Sequence, residues 1–329
     1  MTMNYNTPRE FGKHTMVEFQ FESGATLENV AVEYVTFGTP KYNENHELIN
    51  TIIYCHAYDT DYTGVRDIYN ITNENDPLDE NEYFFISINS LGFPDSCSPS
   101  STGLKFKFPH YTLKDAVNFK RQFLKEKFGI EHIHGILGRE MGGYEVFTWA
   151  CEYPDEMDFI LVAGSGFKTG GHKYVISKTI DNLIESSDYY NENYNSSITK
   201  TLISLNVLVY PYYKSKQQLE DMTNDEIDIY MEDFVENRLT FDVYDIKYRN
   251  DALMNYDVED KLKKIKAKSL IFRSKQDLYF SIEHDLLPLK ELIKDCEIVL
   301  YESDEQDFEY QNPAIVKNEI MLFLKDIAY

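Results

Sequence analysis

No run of apolar residues in this chain approaches the ~18 needed to cross a bilayer, so no membrane-spanning helix is expected. Its opening, MTMNYNTPREFGKHTMVEF, shows no basic stretch followed by an apolar core, and no secretory leader is expected either. Cysteine is scarce. The four, Cys55, Cys97, Cys151 and Cys296, are scattered without a CxxC spacing. That pattern argues against a zinc site or a disulfide framework and implies free thiols in a reducing cytoplasm. Positive charge is short as well: 32 Lys and Arg face 56 Asp and Glu, a formal net charge of −24. Nucleic acids and anionic membranes need a cationic footprint, so neither is expected as a partner. No repeat at periods of roughly 20–50 residues is apparent. Gly164-Ser165-Gly166 is followed by no P-loop lysine and no dinucleotide fingerprint. The acidic stretches 73–82 and 304–307 lack calcium-loop spacing and read as solvated loops, so no metal is expected.

What is present suits a large core. Hydrophobic residues make up 43 % of the 329 and aromatic residues 15 %, which rules out global disorder. Alternating segments at 17–21 and 30–37, separated by Ser23-Gly24, read as an antiparallel start. Apolar runs at 49–56, 83–89, 132–137, 159–163, 268–273 and 296–301 read as buried strands. Helical spacing occupies 113–128, 143–153, 286–293 and 313–327. Strands alternating with helices imply a mostly parallel sheet covered on both faces. Between about 167 and 240 the pattern changes to Tyr, Asn, Ser and acidic residues with helical spacing at 175–185, 198–209 and 225–235, and no strand interrupts it. The expected organisation is a core over 1–166, a helical lid over 167–245, and a second part of the core over 246–329.

Residues 138–143 read Gly-Arg-Glu-Met-Gly-Gly, between a strand pattern and a helix pattern. The frame resembles a nucleophile elbow, G-x-S-x-G, with Glu140 where the serine belongs. Further segments follow in order: Cys55-His56-Ala57 with Tyr58, Asn89-Ser90-Leu91-Gly92, Ser98-Pro99-Ser100-Ser101, then Phe108-Pro109-His110-Tyr111-Thr112-Leu113-Lys114-Asp115. Phe241-Asp242, Tyr248 and Tyr256-Asp257-Val258 come later. Together they resemble the homoserine O-acetyltransferase branch of the α/β-hydrolase superfamily. The resemblance implies an α/β-hydrolase fold with a helical lid and acyl transfer from acetyl- or succinyl-CoA to a homoserine hydroxyl. It also implies a Ser-Asp-His triad, a homodimer, and a small-molecule ligand in the pocket under the lid.

The resemblance places the triad acid at Asp277 and the histidine at Gln306, or at Glu305 by another gap. Two of the three triad groups are therefore replaced. Loss of either one in a serine protease lowers turnover about 10^6-fold. The expectation is a protein without the family's acyl transfer, and acetyl-CoA would serve as donor only if that activity persists. The alternative is an acyltransferase or esterase-type hydrolase that uses Glu140 in altered chemistry, since carboxylates can form covalent esters. Such an ester still needs an activated water, and His284, His56 and His110 are not placed by the pattern to supply it. The backbone N–H groups of Tyr58 and Met141 are expected to form the oxyanion hole. Glu140 then either fills that hole at the helix N-terminus or simply tolerates the turn.

Overall fold

The computed structural model describes residues 7–187, 196–302 and 313–327. Eight strands form one sheet: β1 (Glu10–Gln20), β2 (Thr26–Gly38), β3 (Thr51–Cys55), β4 (Phe84–Ile88), β5 (Ile133–Arg139), β6 (Met157–Ala163), β7 (Lys268–Ser274) and β8 (Cys296–Tyr301). Their order is β1-β2-β4-β3-β5-β6-β7-β8. β2 pairs antiparallel with β1 and β4, and every other pairing is parallel.

The period of two along each strand distributes side chains between two cores. In β3, Ile53 and Cys55 enter one core while Ile52 and Tyr54 enter the other; in β6, Ile160 and Val162 oppose Phe159 and Leu161. Strands buried on both faces must be apolar throughout, which is why they were conspicuous as runs. Helices α1 (Leu113–Phe128) and α2 (Met141–Glu152) cover the first face with Ala116, Phe119, Val146 and Trp149. The 3-10 segment Tyr62–Ile71 and the C-terminal helix Pro313–Leu324 cover the second with Ile68, Val316 and Ile320. Thr112 and Asp115 close a capping box at the start of α1, and Gly129 ends it at φ 70°.

Between β6 and β7 the chain forms α3 (His172–Glu185), α4 (Ser196–Val209), α5 (Lys216–Asp221), α6 (Asn224–Glu236) and α7 (Val243–Met254). Ile184, Leu202, Leu205, Val243 and Ile246 make a small core of their own here. α7 was not foreseen. It buries Asp245, Lys247, Arg249 and Asn250 beside its apolar residues, so no polar stripe marks it as amphipathic. The helix expected over 286–293 is instead a π-turn, Ile282–Leu286, and a short helix, α8 (Leu289–Leu292). Pro288 stands between them; its missing N–H interrupts a continuous ladder. The C-terminal helix is α9.

All four cysteines are free thiols. Among the described residues no group of His, Cys, Asp and Glu has metal-binding geometry, and no helix is long and apolar enough to cross a membrane. Residues in the stretch 73–82 serve local structure: Asp79 accepts from the amides of Asn75 and Asn81, and buried Glu80 pairs with Arg9 at 2.6 Å.

Candidate active site

Glu140 links β5 to α2 at φ 50° and ψ −114°, a backbone region that residues with a Cβ rarely adopt. The turn is held from several sides. The Glu140 amide donates to the Ala163 carbonyl at 3.1 Å, and its carbonyl accepts from the Gly143 amide at 3.0 Å and the Ser165 hydroxyl at 2.6 Å. Gly142 is needed because a Cβ there would lie 2.0 Å from the Cys55 carbonyl oxygen. The elbow thus keeps the geometry that its frame implies, with a carboxylate at its apex.

Among the described residues that carboxylate makes no hydrogen bond to the amides of Tyr58 or Met141. It caps no amide of α2 and is instead approached by the Arg139 guanidinium at 3.3 Å, which also donates to Asp67 at 2.9 Å. A full positive charge beside it outweighs the partial charge of a helix end. Of the two alternatives for Glu140, a cap on the α2 amides is not seen among the described residues. Tyr58 and Met141 both line the cavity above the elbow, and among the described residues no protein acceptor takes their amides. Arg249 fixes the Tyr58 loop by donating to its carbonyl at 2.6 Å and lying over its ring.

Asp277 follows β7 with its side chain buried. Its carboxylate accepts from the amides of Tyr279 and Phe280 at 2.8 and 2.9 Å, and its other oxygen faces the Arg273 guanidinium at 3.6 Å. Burial pushes its pKa up, opposed by Arg273. Among the described residues no imidazole reaches it. Arg273, itself fully buried, donates to the Ser165 carbonyl. The acid position therefore communicates with the elbow through Arg273 and Ser165, two residues the sequence reading did not assign to the site. Gln306 and Glu305 lie outside the described residues. His284 is exposed on the π-turn and lines no part of the cavity, and His110 stacks on Tyr248. A lid imidazole not foreseen, His172, lies 5.9 Å from the Tyr279 ring.

Beneath the elbow lies a second buried network. Glu145 accepts from Lys120 and from the Ser90 hydroxyl, all three being buried. The Ser90 amide donates to His56 Nε2 at 3.1 Å, which leaves the His56 proton on Nδ1, facing the Ala57 carbonyl at 3.0 Å. Burial, then the charge of Lys120, lowers the His56 pKa to about 3, so this imidazole is neutral and occupied in fixing the loop that carries Tyr58. Ser98 and Ser100 donate to Asp245 on α7, whose pKa burial pushes up to about 6.

The cavity measures about 120 Å³. Its floor is Glu140, Met141 and Tyr144, its walls include Tyr58, Tyr279 and Phe280, and its roof comes from Ile176, Tyr212, Tyr213 and Leu253 of the helical segment.

Comparison with known proteins agrees with this architecture. The family model described as alpha/beta hydrolase fold matches residues 50–308. A probable acyltransferase of Methanothermobacter thermautotrophicus is 38 % identical over 87 % of this chain and 89 % of its own. A homoserine O-acetyltransferase of Methanosalsum zhilinae is 24 % identical over 92 % of this chain, which spans 64 % of that longer relative. Among solved structures, homoserine O-acetyltransferase from Bacillus anthracis superposes with a TM-score of 0.81 at 19 % identity, covering 97 % of this chain and 99 % of the other. An acetylester hydrolase from Corynebacterium glutamicum gives 0.82 at 20 % identity over 96 % of each chain. The chain belongs to the alpha/beta hydrolase fold family, and within it resembles the homoserine O-acetyltransferases and related acyltransferases and esterases.

Proposed function

We propose that this protein binds a small molecule under its helical lid without carrying out the family's acyl transfer by a Ser-His-Asp relay. One observation carries the reading: the nucleophile position is a carboxylate held by Arg139, in a chain whose triad acid is held by Arg273. A relay needs a nucleophile, a base with a pKa near the working pH, and an acid oriented on that base. Here the acid is matched to a guanidinium, which takes up no proton. The oxyanion loop, held by Arg249 and the His56 network, supports a cavity able to accept an acyl or carbonyl group.

The open amides of Tyr58 and Met141 favour a second reading, an acyltransferase or esterase in which the Glu140 carboxylate attacks the acyl carbon and forms a mixed anhydride as the donor's thiolate or alkoxide leaves. Among the described residues that reading lacks a group to activate the water or alcohol that would release the acyl group. The two are separated by incubating the protein with acetyl-CoA and homoserine, and with p-nitrophenyl acetate. No turnover above the spontaneous rate is expected from the wild type. Turnover that Glu140→Gln abolishes would overturn the first reading and establish the second. A homodimer, as the resemblance implies, belongs to the same proposal and is checked by sedimentation.

A further inference from the structure

We propose that the cavity above Glu140 takes a small, uncharged and mainly apolar molecule, and shuts out ligands that bear a carboxylate or a phosphate. The inference rests on the proposed reading of this site as a ligand cavity and names the class of ligand.

The wall comes first. Met141, Ile176, Ile180, Val209, Leu253 and Phe280 line the cavity, and Met141, Ile176 and Phe280 are themselves buried. Burial is the first cause that holds the phenols of Tyr58, Tyr144, Tyr213 and Tyr279 above their ordinary range. These rings therefore stay neutral and add hydrocarbon surface to the wall. At about 120 Å³ the cavity is close to the roughly 150 Å³ at which an apolar protein cavity takes up benzene. An apolar molecule of about that size gains by leaving water for such a wall.

Charge comes second. All 32 Lys and Arg of the chain lie among the described residues, and none of them is in the lining. A carboxylate or phosphate entering the cavity would lose its water with no cation in the wall to receive it. The cations behind the wall are matched to acids. Arg139 faces Asp67 and Glu140, and Arg238 faces Asp59. Behind the Phe280 ring, Arg273 faces Asp277 and Lys173 faces Asp285. Arg249 donates to the Tyr58 carbonyl and lies over its ring. Glu140 does not reverse the preference. Its side chain is 12 % exposed, so a ligand laid over it displaces little of its water. An ammonium ligand would give up its own hydration to approach a carboxylate that Arg139 already holds.

The test is calorimetric titration of the full chain with three ligands of one carbon skeleton: 3-methyl-1-butanol, isopentylammonium chloride and sodium isovalerate, at neutral pH and matched ionic strength. The alcohol is expected to bind saturably and at least tenfold more tightly than either ion, or about 1.4 kcal/mol. Homoserine, which bears a carboxylate, and coenzyme A, which bears phosphates, should not displace it. Ile176→Phe, which fills the cavity from its roof, should abolish binding of the alcohol. Val209→Phe should do the same from the neighbouring helix, with circular dichroism confirming that each variant is folded. The proposal is overturned if the alcohol fails to bind, if either ion binds as tightly, if homoserine or coenzyme A displaces it, or if both folded variants bind it as the wild type does. Each reading can fail alone. Turnover of p-nitrophenyl acetate, an uncharged ester, would overturn the silent triad and leave this preference standing. Displacement by homoserine without turnover would overturn the preference and leave the silent triad as it is.

Discussion

At the residue scale, the site is defined by charges held in pairs. Arg139 takes Glu140, Arg273 takes Asp277, and Lys120 takes Glu145 in a dry interior. Breaking one such buried pair leaves an uncompensated charge, so each side chain fixes its neighbour. His56 offers a measurable consequence. Its pKa falls from 6.5 to about 3 because burial disfavours the imidazolium. Between those values the unfolded chain holds a proton that the native chain lacks, so this contribution is full above pH ~6.5 and is lost as pH falls towards 3. Asp245 acts oppositely: burial raises its pKa to about 6, so its contribution favours the fold at low pH and fades as pH rises through 6. The two partly cancel, and His56 is best isolated by difference. The stability advantage of the wild type over His56→Gln should shrink by about 1.4 kcal/mol per pH unit between roughly pH 6 and 4. Urea unfolding at several pH values measures this, and parallel pH dependences for the two proteins would refute it.

At the scale of elements, the elbow depends on α2 pressing against the end of β3. A methyl group on residue 142 would collide with two backbone carbonyls, those of Cys55 and His56 at 2.0 and 2.7 Å, and neither can rotate away. Gly142→Ala should therefore lower the unfolding free energy by about 1–3 kcal/mol and displace the loop carrying Tyr58. A urea midpoint equal to that of the wild type would contradict this packing. What was legible in the sequence follows the same physics. Strands buried on both sides show as unbroken apolar runs, and the glycines of 138–143 announce the elbow because helix and strand meet so closely there. Lys120 and Glu145 were not legible, since a charged residue in a helix reads as solvent-facing until its partner on the adjoining helix is known. Arg273 left a trace: it shares an inward face of β7 with Ile271, where a charge is out of place. α7 was missed because its buried side is polar.

At the scale of the whole molecule, the excess of acidic residues sets the response to salt. A chain of net charge −24 repels itself in the compact state, and the range of that repulsion falls from about 30 Å at 0.01 M ionic strength to about 8 Å at 0.15 M. Raising sodium chloride across that interval should lift the unfolding midpoint by roughly 1–2 °C, equivalent to about 1 kcal/mol for a chain of 329 residues. Scanning calorimetry tests it; a midpoint that falls with salt would show that attractive surface pairs, such as Lys13–Glu33 at 3.2 Å, outweigh the repulsion. The antiparallel hairpin at one margin of the sheet carries a separate consequence. β1 is the border strand, and along its length Glu10, Lys13 and Glu18 project into solvent. Another chain adding itself there as a ninth strand would have to lay its side chains among these charges, which discourages fibril-like stacking.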